Sequence, residues 1–199
     1  MIALIDYKAG NLTSVKKALA TVGAEIVVPR APDDLASVAG VIVPGVGHFG
    51  ATRALDAPWV EAILARVGEG RPLLGICLGM HWLFEGSDEA AGLAGLGLLS
   101  GHCYRLPSTS VKIPHVGWNS LTIERTGTSI LDGVPDQSQV YFTHSYVAPV
   151  TGDAAATTDH GGHFASVVQR GHVAGLQFHP EKSGDIGLRI LRNFVELAG

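Results

Sequence analysis

The sequence predicts an α/β fold built on a mostly parallel central sheet with helices on both faces, and three observations carry that prediction. Short apolar runs alternate with amphipathic segments of helical period through residues 1–84. Those runs, such as GVIVPGVG at 40–47, are apolar without alternation, as strands covered on both faces must be. From Leu98 onward, shorter strand-like pieces separated by glycine, proline and aspartate replace that pattern and predict additional antiparallel strands in the second half.

The elements follow in order. IALIDY (2–7) is a first strand. In NLTSVKKALATVG, Leu12, Val15, Leu19 and Val22 share one helical face and Gly23 marks the stop. EIVV (25–28) and GVIVPGVG are the next strands, APWVEAILARVGEG (57–70) a helix, RPLLGIC (71–77) a buried strand, and LGMHWLF (78–84) the helix that starts directly after it. Strand-like pieces follow at LLSGHCYRL (98–106), NSLTIER (119–125), QVYFTHSYV (139–147), FASVVQRG (164–171) and HVAGLQF (172–178). TGDAAATTDH (151–160) reads as a loop with a strand. DIGLRILRNFVEL (185–197) closes as a helix with Ile186, Ile190, Phe194 and Val195 near one face. With no internal repeat or linker, residues 1–199 read as one domain.

Composition narrows the function classes. The net charge is −4 and no lysine or arginine run occurs, which argues against a nucleic-acid partner. No apolar run approaches the ~18 residues of a membrane span, and the amino terminus lacks the basic start and long apolar stretch of a secretory signal. Two cysteines without a C-x-x-C pair suggest neither a disulfide framework nor a thiolate metal site, so a reducing, cytoplasmic setting fits and no metal or cofactor is expected.

The chemistry concentrates in three places. Gly75-Ile-Cys77-Leu-Gly79 lies at a strand-to-helix junction, where flanking glycines let the backbone turn tightly and expose the central side chain. The positive end of the following helix would lower a thiol pKa from about 8.5 toward roughly 3.5–7.5. The competing reading is a buried structural cysteine. In Gln177-Phe-His179-Pro-Glu181, an extended chain through Pro180 would point the imidazole and the carboxylate the same way, giving a base and its orienter; a surface ion pair is the alternative. The turn Pro44-Gly45-Val46-Gly47 can bring a backbone N–H to a developing oxyanion, or can simply end a strand.

The ordered set DYKAGNL, PGVGHFG, GICLGM, VGWN (116–119), YFTHSY (141–146) and QFHPEKS resembles the class I glutamine amidotransferases, and within them the glutaminase subunits of imidazole glycerol phosphate synthase in histidine biosynthesis. The likeness runs from the first strand to the last helix. It implies a flavodoxin-like fold and hydrolysis of glutamine to glutamate and ammonia, with the ammonia delivered to a separate (β/α)8-barrel synthase subunit. By the same resemblance Cys77 is the nucleophile, His179 the acid and base, Glu181 its orienter, the Leu78 N–H one oxyanion donor and the Gly45–Val46–Gly47 turn the other. His81, His144, Ser145 and Tyr146 fall at substrate-lining positions, and Asn11, Trp118 and Lys182 at the partner interface.

Three residues depart from the family pattern. His81 stands where a glutamine usually helps hold the substrate, and histidine there is expected to donate one hydrogen bond. His48 replaces a small residue, and Lys8 interrupts a segment that is often glycine. Three alternative functions stay open at this point: a glutaminase of another pathway, a catalytically silent partner-binding subunit, and a cysteine hydrolase acting alone.

Overall fold

The apolar runs of the first half fold as alternating strands and helices in a computed structural model that describes residues 1–107 and 111–199. In chain order the elements are β1 (Ile2–Leu4), α1 (Leu12–Thr21), β2 (Ile26–Val27), β3 (Gly40–Gly45), α2 (Ala57–Gly68), β4 (Leu73–Cys77) and α3 (Leu78–Leu83). There follow β5 (Gly86–Ser87), β6 (His102–Arg105), β7 (His115–Ser120), β8 (Thr122–Ile123), β9 (Gln139–His144), β10 (Tyr146–Val147), β11 (Ala154–Asp159), β12 (His163–Arg170), β13 (Val173–Leu176) and α4 (Gly184–Leu197).

The main sheet has the order β2-β1-β3-β4-β13-β12-β11-β8. Its first five strands are parallel, in the flavodoxin-like arrangement with a switch between β1 and β3. β12, β11 and β8 extend it antiparallel. Successive side chains of the buried strands serve opposite layers. Ile42, Leu74 and Ile76 pack with Val15 and Leu19 of α1 and Ile190 and Phe194 of α4, while Val41, Val43 and Leu73 pack with Ile63 of α2 and Met80 of α3. Helices therefore cover both faces, as continuous apolar strands require. Among the described residues no helix is long and apolar enough to cross a membrane.

The structure differs from the sequence expectation where distant pairing decides. The first strand stops at Leu4, because Asp6 accepts hydrogen bonds from the Lys8 N–H and Nζ, both 2.9 Å, and bends the chain into a turn with Lys8 at φ +63°. That left-handed position explains why glycine suits residue 8. NSLTIER divides: Asn119 and Ser120 complete β7, which pairs with β9, and Thr122–Ile123 joins β11 in the main sheet. VGWN is thus strand, in a separate β7–β9 ribbon.

Candidate active site

Three parallel strands finish at one edge of the sheet, and their register assembles the chemistry. Gly45 at the end of β3 lies opposite Cys77 at the end of β4, and Leu176 at the end of β13 lies opposite Ile76. The next residues, Gln177 to His179, are thereby delivered beside the cysteine. Carboxyl ends of parallel strands are where open α/β sheets place their ligands.

Cys77 takes φ +53° and ψ −106°, a region an L-residue occupies at a cost of about 1–3 kcal/mol. The turn is possible because of Gly75 and Gly79. A Cβ on Gly75 would sit 2.5 Å from the Gly79 carbonyl oxygen, and one on Gly79 only 1.8 Å from that of Val43. The glycines are there for close approach, and the strain falls on the cysteine itself. Leu78 opens α3, so its N–H has no partner within the helix and is free to meet a ligand.

His179 and Glu181 come together, though not as an extended pair. The chain turns through a 3₁₀ segment at Pro180–Lys182, which still brings His179 Nδ1 within 2.9 Å of Glu181 Oε1. Both side chains are only 3% exposed. Burial favours the neutral imidazole, but Cys77 and Glu181 beside it outweigh that and raise the His179 pKa to about 9. Nε2 is buried and has no hydrogen-bond partner in this state. Ser183, to which the motif assigns no role, holds the turn: its hydroxyl donates to the His179 carbonyl at 2.6 Å and accepts the Tyr141 N–H at 3.0 Å.

The turn after β3 is engaged elsewhere. The Val46 N–H donates to the Ala9 carbonyl at 3.0 Å, and Gly47 sits at φ +95°. Gly45 has no room for a side chain, since a Cβ would lie 2.0 Å from the Tyr7 hydroxyl. That hydroxyl is buried without a partner.

A cavity of about 300 Å³ opens over Cys77, walled by Gly47, Leu78 and His81 on one side and by Thr143, His144, Ser145 and Tyr146 on the other. Glu89 also faces it, with Oε2 accepting the Phe49 N–H at 2.7 Å, and sequence reasoning misses it because no motif marks it. His81 is placed differently from the expectation. Its Nε2 lies 2.8 Å from Gln177 Oε1 inside the protein, and burial lowers its pKa to about 4.

His144 also has its nitrogens committed. Its Nδ1 must carry the proton, because it faces the Tyr146 carbonyl at 3.1 Å. Nε2 therefore accepts from His115 Nδ1 at 3.1 Å, and His115 Nε2 accepts from Asn119 Nδ2 at 3.3 Å. Burial holds His115 near pKa 4 and His144 well below the ordinary range. Among the described residues no group of three or more His, Cys, Asp or Glu side chains is arranged to hold a metal ion.

Outside the cavity mouth, Val116 and Trp118 are 57% and 56% exposed on β7. Trp118 meets the Tyr141 ring edge-on at 6.1 Å, and Lys182 Nζ lies 5.6 Å from that ring's centre. Asn11 is exposed, and its side chain caps α1 by accepting the Ser14 N–H at 3.3 Å.

A cysteine elbow, a His–Glu pair and a backbone turn at the carboxyl edge of a flavodoxin-like sheet define a class: the chain belongs to the class-I glutamine amidotransferase family, whose model matches residues 3–197. The particular branch is given by its relatives. The chain is 46% identical to imidazole glycerol phosphate synthase subunit HisH of Bacillus cereus (strain G9842), over 98% of this chain and 93% of that protein. It is 42% identical to the HisH subunit of Methanocaldococcus jannaschii, over 99% and 100%. A crystal structure of a glutamine amidotransferase superposes with TM-score 0.79 at 24% identity, covering all of both chains, and shares the fold.

Proposed function

We propose that this chain is the glutaminase subunit of an imidazole glycerol phosphate synthase, one glutaminase domain over residues 1–199, supplying ammonia to a (β/α)8-barrel synthase subunit in the cytoplasm. The observation that carries this reading is the meeting of Cys77, His179 and Glu181 at one strand edge, in a chain 46% identical to a HisH subunit.

Glutamine enters the cavity with its side-chain amide over Cys77, and the Glu89 carboxylate is the acid suited to its α-ammonium. The thiolate attacks the amide carbon, and the oxygen takes up negative charge against the Leu78 N–H. A preorganised donor of this kind is worth roughly 2.7–4 kcal/mol. His179 is protonated at neutral pH, as its raised pKa requires, and gives that proton to the departing nitrogen. Ammonia leaves and a γ-glutamyl thioester remains. His179, now neutral and held by Glu181 through Nδ1, takes a proton from water; hydroxide adds to the thioester, and collapse releases glutamate and restores the thiolate.

A second oxyanion donor needs the Val46 N–H, which is bound to Ala9 in this state. Rotation of the Gly45–Val46 peptide would free it. The exposed Val116, Trp118 and Lys182, with Asn11, suit a protein partner whose docking drives that rotation.

The test is glutamate release from glutamine by the purified chain, alone and with a barrel synthase loaded with its nucleotide substrate. Strong stimulation by the loaded partner is expected. Cys77→Ala should abolish glutamine-dependent synthesis while the complex still works from ammonium salt. Equal release with and without the loaded partner would remove the rotation, and no release in either condition would leave a partner-binding subunit without glutaminase activity.

A further inference from the structure

A buried line of side chains joins the nucleophile to α3 and has no part in the steps above. His81 Nε2 lies 2.8 Å from Gln177 Oε1, and Gln177 Nε2 lies 3.9 Å from Cys77 Sγ. All three residues are buried. Gln177 is also held through its backbone, whose N–H donates to the Ser166 carbonyl at 2.9 Å, so its side chain starts from a defined point.

We propose that Gln177 is a positioning residue for Cys77: its amide N–H, aimed by His81, donates to the sulfur and favours the thiolate. This rests on the reading of Cys77 as nucleophile. A primary amide has a donor end and an acceptor end, and the neighbour on the far side decides which end the sulfur meets. With the proton on His81 Nε2, the ring donates to Oε1 and the amide NH₂ is left for the sulfur. A thiolate, which can only accept, matches that end. In the reverse arrangement the NH₂ would donate to a bare Nε2 and Oε1 would face the sulfur, where only an S–H could answer it. His81 and Gln177 together thus select between the two protonation states of the nucleophile. The hydrogen-bond donor expected of His81 toward substrate is spent on Gln177, and the nitrogen left over is Nδ1, a lone pair.

The test is alkylation of Cys77 by iodoacetamide across a pH series in the full-length chain, read on the Cys77 peptide by mass spectrometry so that Cys103 is counted apart. Gln177→Leu is expected to raise the alkylation midpoint by about one pH unit, so that labelling below the midpoint slows about tenfold. Gln177→Glu, which sets a carboxylate against the sulfur, should raise it further. His81→Leu leaves the amide unaimed and should give a smaller rise; it carries the test if the Gln177 variants do not fold. In the partner complex, Gln177→Leu should lower kcat with the KM for glutamine little changed. Unmoved midpoints in folded variants, with normal glutamate release by the parent, would overturn the role of Gln177 alone. A parent that neither titrates below the ordinary thiol range nor releases glutamate would overturn the nucleophile reading beneath it.

Discussion

His179 keeps its proton because Cys77 and Glu181 outweigh burial, whereas His81, His115 and His144 lose theirs because burial dominates. The two groups act on stability in opposite directions. His179 titrates near 9 in the folded chain against about 6.5 unfolded, so its contribution is full below pH 6.5 and is lost as pH rises through 9. His81 and His115 titrate near 4, so the unfolded chain binds more protons between 4 and 6.5. Their contribution is present above pH 6.5 and lost as pH falls toward 4. Thermal melts over a pH series should therefore show Tm falling on both sides of about 6.5. His179→Gln should flatten the alkaline limb and His81→Gln part of the acid one. A Tm that stays constant from pH 6.5 to 4 would mean that these rings are not held neutral. The sequence marked His179 by its motif, but one histidine looks like another in a chain with nine of them, and only burial separates them.

The strand–turn–helix element containing Cys77 depends on glycines that look alike in the sequence and are not. A methyl on Gly79 would meet the Val43 carbonyl oxygen, so Gly79→Ala should destabilise by about 1–3 kcal/mol or more and displace the cysteine. Gly68 ends α2 with open space on every side of where a methyl would stand, and Gly68→Ala should stabilise by about 0.5–1 kcal/mol. Urea unfolding of the two variants checks the contrast, and changes of the same sign would refute it. Alternating strands and helices were legible because apolar period is a local property. The division of NSLTIER at Leu121 was not, since the two halves pair with β9 and β11, which come later in the chain.

Across the whole molecule, the cavity mouth is flanked by the β7–β9 ribbon, whose outer face exposes Val116 and Trp118. Trp118→Ala should weaken binding of the synthase partner about tenfold, measured by calorimetry, while leaving the chain's own Tm unchanged, because an exposed aromatic contributes to a partner's pocket more than to this core. A drop in Tm with unchanged affinity would place Trp118 in the fold instead. The sequence by itself determined the layered α/β architecture and marked Cys77 and the His179–Glu181 pair as the candidate site, because burial patterns and the C-L-G and H-P-E spacings are written in neighbouring residues. Only the tertiary structure decided that Glu89 faces the cavity, that the Val46 amide is tied to Ala9, and that His81 meets Gln177. Each of these joins groups far apart in the chain or turns on which way a peptide points, and strand register, which no local pattern encodes, sets both.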